Sequence, residues 1–216
     1  MVVIPTDGEQ EEPSRQSTRP DTVPYISSWS REKMIRPPVV RVAGRGGEGI
    51  GYLGESPYDR DRRGVLWVRH TLARGKGRPL FHTVHALRQR RAVLHMLCQV
   101  CGTSVLDDGP HLFVLRDVGR PVAEGERTTA PPVCVPCARI SVRQCPRLRV
   151  GHVAVRVGRA GVWGVAGIVH HPRTLEPLAG GSLEEVAHED PAIRWVLACR
   201  QVLVLRDCTP VDLGDL

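Results

Sequence analysis

The sequence predicts an α+β fold in which small strand-rich segments flank a cysteine-rich core. Three observations carry that expectation. Valine is abundant, 30 of 216 residues, and it favours the pleated, half-buried surface of a sheet. Alternating apolar and polar stretches are broken by shorter runs whose apolar residues fall at helical spacing. Four of the seven cysteines form two CxxC pairs, CQVCG and CVPCA.

Residues 1–24 are rich in Pro, Ser, Thr, Glu and Gln and carry a net charge of −3. Such a segment buries too little to offset its ordering entropy, so a disordered acidic tail is expected. Residues 25–97 read as a strand-rich segment. Val39 to Val42 and Gly64 to Arg69 are its strands, and Pro79 opens a basic helix that runs to about Leu97. Gly44, Gly46 and Gly49 match GxGxxG, but the following IGYLGESPYD is broken by Gly and Pro. No helix can start there to meet a pyrophosphate, and the glycines read as a hairpin turn. Residues 98–150 hold the cysteine module. In residues 151–216, HVAVRVGR at 152–159 and VWGVAGIV at 162–169 read as a hairpin. Asp190 and Pro191 then start a helix over AIRWVLACRQ, and VLVLRDC closes as a strand.

Thirty-two residues separate the pair Cys98 and Cys101 from the pair Cys134 and Cys137. A CxxC turn presents two thiolates to one ion, and tetrahedral zinc takes four soft or borderline ligands, so the spacing points to a four-cysteine Zn2+ site. A redox dithiol needs only one pair, and structural disulfides do not suit a cytosolic chain. Four thiolates close the coordination sphere, so such a metal stabilises the fold and does no hydrolysis. Cys145, Cys199 and Cys208 read as ordinary buried thiols, and His95 as a surface residue beside the site.

The order of knuckle, possible strand HLFVLRD, and a helix carrying the second pair in its first turn resembles a treble-clef zinc finger over residues 97–147. HNH endonucleases share such a core. That resemblance implies a histidine pair on the hairpin between the cysteine pairs, whereas this interval holds only His111. The runs SPYDRDRRGVLWVR, ALRQRRAVLHMLCQVCG and PPVCVPCARISVRQCPRLRVGHVAVRV are also similar to uncharacterised proteins of Streptomyces and related actinobacteria. This second resemblance spans about residues 24–216 and brings no activity with it.

The net charge of +7 rests on 28 arginines against two lysines, a skew that also follows from a GC-rich genome, so position says more than number. Residues 60–97 carry a net of +9, residues 138–175 seven arginines and no acid, and residues 176–216 a net of −5. Arg139, Arg143 and Arg147 recur every four residues after Cys137, a pattern that suits contacts to phosphates. The expected function is a non-catalytic, zinc-stabilised regulatory protein that binds DNA or RNA through this basic middle region. Two other classes stay open: an adaptor for a protein partner, and an enzyme, either a degenerate nuclease or one using His170, His171 or Cys145. His82 and His85 read as helix-surface residues. No GxSxG, P-loop or HExxH motif is present. With no apolar run of membrane-spanning length and no basic, apolar leader, a cytoplasmic protein is expected.

Overall fold

The structure is a computed structural model that describes residues 21–216 apart from 45 and 108. Most of the expected tail therefore lies outside the described residues. The first half holds β1 (Ser27–Trp29), β2 (Met34–Ile35), β3 (Val39–Gly44), β4 (Gly47–Tyr52), β5 (Leu66–Trp67), β6 (Arg69–His70), β7 (Pro79–Val84) and α1 (Ala86–Leu94). There follow β8 (His111–Arg116), β9 (Arg127–Thr128), α2 (Val135–Gln144), α3 (Pro146–Val150), β10 (His152–Val169), β11 (Glu184–Ala187) and β12 (Val196–Val211). The chain is mixed and strand-rich, as the valine content implies.

Two long antiparallel strands, β10 and β12, form the spine of the main sheet, and four short strands flank them. On the outer side of β10, β8 covers residues 152–157 and β11 covers 164–167. On the outer side of β12, β5 pairs in parallel at Leu197 and Ala198, and β9 pairs at Leu203 and Val204. The strand period of two sends neighbouring side chains to opposite faces. Phe113, Val155, Val157, Leu203 and Leu205 thus pack together with Val93 of α1. Leu112, Val114 and Ala154 point the other way and pack on the cysteine module. At this end both faces of the sheet are buried.

Three local expectations are corrected. Residues 152–169 make one strand and not a hairpin, because no glycine between 158 and 167 has a positive φ. Gly164 and Gly167 serve close approach instead. A Cβ on Gly164 would collide with the Val186 carbonyl oxygen, and one on Gly167 with that of Leu197. The helix expected from Pro79 begins only at Ala86. PLFHTV pairs with β1, and its β-favouring Phe, Thr and Val yield to that tertiary partner. Asp190 does cap, accepting from the Ala192 N–H at 2.8 Å, but a single 3-10 turn over Pro191–Trp195 follows before β12 begins. The aliphatic run from Val196 is taken into the centre of the sheet.

The GxGxxG segment is the β3–β4 hairpin, with positive φ at Gly46 and Gly47. Gly49 has a further reason to lack a side chain, since a Cβ there would press on the Arg194 carbonyl oxygen. The hairpin and the 3-10 turn before β12 therefore lie against each other. Among the described residues no helix is long and apolar enough to cross a membrane.

Candidate metal centre and basic cleft

The first cysteine pair sits in a tight knuckle. Leu97 and Ser104 bridge its base, the Gly102 N–H reaches the Cys98 carbonyl at 2.9 Å, and the Val100 N–H points at Cys98 Sγ at 3.4 Å. Gly102 turns with φ +80°, and a Cβ there would press into the Tyr25 ring. The second pair opens α2: Cys134 is its N-cap and Cys137 lies in its first turn. Residues 131–133 join the two halves. Gln99 donates from its main-chain N–H to the Pro132 carbonyl and from Nε2 to that of Pro131, and the Val133 N–H reaches the Leu112 carbonyl.

These hydrogen bonds bring the Sγ atoms of Cys98, Cys101, Cys134 and Cys137 within 4.8 Å of one another. No other group of three or more potential ligands converges in this way among the described residues. Cys101 Sγ and Cys134 Sγ stand 3.9 Å apart, too far for a disulfide. The separation suits two thiolates on one tetrahedral ion, which at a metal–sulfur distance of about 2.3 Å lie roughly 3.8 Å apart. Cys98 and Cys137 are buried, and burial pushes both thiols up, whereas Cys101 is exposed. Burial works against ionising Cys101 as well, but its hydrogen bonds with Thr103, Sγ to Oγ1 at 2.6 Å, hold it down to about 7. Three or four thiols so placed can exchange protons for a soft cation.

A knuckle and a helix thus carry the two pairs as expected, but the treble-clef hairpin between them does not form. β8 pairs with β10 and β9 with β12, so the intervening chain belongs to the main sheet. Cys145, Cys199 and Cys208 remain free and outside the cluster, each half-buried and not fully enclosed. His95 is exposed and also outside it.

The three expected arginines have different surroundings. Arg139 is exposed, but its guanidinium donates to the main-chain oxygens of Leu213 and Leu216. Arg143 is exposed with no hydrogen bond or ion pair among the described residues. Arg147, on α3, lines a cleft of about 420 Å³ together with Arg116 from the end of β8 and Arg200 from β12. None of these three guanidinium groups has an acidic partner among the described residues. Arg120 and Arg127 also line this cleft and are paired with Glu126 at 2.6 Å and Glu185 at 3.2 Å. Gln99 of the knuckle contributes to the same wall, so the cleft is partly built by the cysteine module. Arg116 and Arg200 escape a sequence reading because they lie on separate strands, β8 and β12, far from Arg147 along the chain.

The histidines are placed differently from expectation. His82 is exposed, but on β7 and not on a helix. His85 is wholly buried as the residue before α1, stacked on His70 at 4.7 Å between ring centroids. His170 is buried with Nδ1 at 3.1 Å from the Ile168 carbonyl oxygen, and His171 Nδ1 accepts the N–H groups of Arg173 and Thr174 within a turn. No family model, curated protein or solved structure matches this chain, so the site rests on its geometry.

Proposed function

We propose that Cys98, Cys101, Cys134 and Cys137 hold a structural Zn2+, and that the chain is a regulatory protein binding nucleic acid through the adjoining basic cleft. An all-thiolate donor set favours zinc over the hard cations, and four such ligands leave no open position for catalysis. The observation that carries the nucleic-acid reading is that Arg116, Arg147 and Arg200, three arginines with no ion pair among the described residues, line one cleft. Guanidinium groups bind phosphate bidentately, and their binding releases counterions. Arg143 can extend the path along α2. Arg139, held by the Leu213 and Leu216 main-chain oxygens, contributes least of the arginines read from the sequence.

The test is binding to random duplex DNA, single-stranded DNA and RNA over a salt series. Affinity falling steeply with salt is expected. Changing Arg116, Arg147 and Arg200 together to Ala lowers the slope by about one for each phosphate that is no longer held. Arg139→Ala alone leaves affinity within about twofold. No binding at low salt with the metal in place overturns the proposal and favours a protein partner, as does a triple variant with unchanged affinity and slope.

A further inference from the structure

A second concave site lies between α1 and the β5–β6 segment and shares no lining residue with the basic cleft. It encloses about 330 Å³, at the lower end of ligand-pocket sizes of roughly 300–1,000 Å³. Its cationic groups are Arg69 and Arg90. Arg69 is committed: Nε and Nη2 donate to the two oxygens of Asp59 at 2.6 and 2.5 Å, and Nη2 also reaches the Gly54 carbonyl. Asp59 is filled in turn by the Ser56 N–H and Oγ. This pair is therefore neutral and closed.

Arg90 is not. Its guanidinium carbon lies 4.6 Å from the Trp67 ring centroid, and the group has no hydrogen bond or ion pair among the described residues. Its side chain is half-buried, yet none of its nitrogens is sealed from solvent. A partly desolvated guanidinium that keeps its donors free has given up hydration without gaining an acceptor. Burial holds its pKa below the usual arginine value, against the attraction of Asp61, whose carboxylate accepts from the Trp67 indole N–H at 3.0 Å. His70 at the same pocket is kept neutral, pushed down to about 4 by burial and by His85, so it adds no charge. The pocket thus has one guanidinium whose donors have no hydrogen-bonded acceptor among the described residues. Its mouth carries three large apolar side chains in water: Tyr58 at 93% exposure, Leu87 at 49% and Ile35 at 45%.

We infer that this pocket binds a small organic carboxylate with an aromatic or apolar body. The carboxylate takes the free N–H groups of Arg90, and the body covers Ile35, Tyr58 and Leu87. One unpaired guanidinium selects a single negative charge, and its packing on Trp67 leaves the planar fork oriented for a two-point hydrogen-bonded pair. The inference does not depend on nucleic-acid binding.

Benzoate and its neutral analogue benzamide are suitable probes, followed by NMR of the Arg90 Nε–H and Trp67 Nε1–H groups in the full chain. Benzoate should shift both signals saturably, and benzamide should bind at least tenfold more weakly. Arg90→Gln should weaken benzoate at least tenfold and leave benzamide unchanged, whereas Arg90→Lys should restore part of the benzoate affinity. Equal binding of the two probes to the unmodified protein overturns the inference whether or not a variant folds. So does the absence of a saturable benzoate shift at millimolar concentration, or full benzoate affinity in a folded Arg90→Gln protein.

Discussion

Two polar centres tie the elements of this molecule together, and only one of them pairs its charges from its own side chains. At the first, Arg88 of α1 meets Glu32 through two hydrogen bonds of 2.6 and 2.7 Å and also donates to the Ser27 carbonyl. Glu32 further accepts the N–H groups of Trp29 and Ala73. Burial raises the carboxyl, but these donors bring it down to about 2, so the carboxylate is matched from within, while Arg88 Nε is buried without a partner among the described residues. At the second, four cysteine sulfurs lie within 4.8 Å of one another. Neutral thiols offer each other little in this arrangement, and thiolates would repel. On the proposed zinc reading, one centre needs only folding, while the other needs folding and an ion.

The difference is sharpened by perturbing each centre. The largest effect is expected at the cysteines. Structural zinc in small modules is worth about 10–16 kcal/mol of apparent binding free energy, as much as the whole stability of a typical domain. Cys98→Ser or Cys137→Ser should therefore release the metal and open α2 and β8 to amide hydrogen exchange, with β10 and β12 opening later. Retained metal and unchanged exchange in both variants would break the comparison.

A smaller loss is expected at the other centre. Arg88→Met strands a buried carboxylate and should cost about 3–5 kcal/mol in denaturant unfolding. Replacing both partners, Glu32→Leu with Arg88→Met, removes the stranded charge and should recover most of that loss. A double variant as unstable as the single one would show that the pair contributes more than its own neutralisation.

The smallest effect is on pH dependence. His70 is held at about 4 and His85 is also lowered, both chiefly by burial, while the unfolded chain titrates near the ordinary histidine value of about 6.5. The unfolded state binds these protons first, so stability is full above about pH 6.5 and falls as pH drops towards 4. Glu32 has the same sign, with stability present above about 4.5 and lost towards 2. His70→Phe keeps a ring against His85 and should flatten the slope between pH 6.5 and 4. An unchanged slope in that variant would remove His70 from the account.

The same two centres show why the sequence was readable in one place and silent in another. A CxxC pair is a local device, so Cys98 with Cys101 and Cys134 with Cys137 stand out by spacing alone. The Glu32–Arg88 pair joins residues 56 positions apart through folding and has no local mark. Strand identity was visible in the aliphatic runs of β10 and in VLVLRDC of β12, but Val196 to Gln201 read as helix and neither strand's length was legible. Gly161 falls between the two arms of the expected hairpin, whereas the backbone passes through it in extended form. PLFHTV fits either a helix or a strand by composition, and pairing with β1 decides it. Arg147 was legible as part of a basic run, but its cleft partners come from two separate strands.

The most direct test of the central claim is the metal content and sulfur coordination of the purified protein, with cobalt substitution as the optical readout. The account predicts one tetrahedral ion per chain with four sulfur ligands at about 2.3 Å, and strong thiolate-to-cobalt charge-transfer bands. A stably folded protein with all four cysteines reduced and no bound metal, or with mixed nitrogen and oxygen ligation, would contradict it.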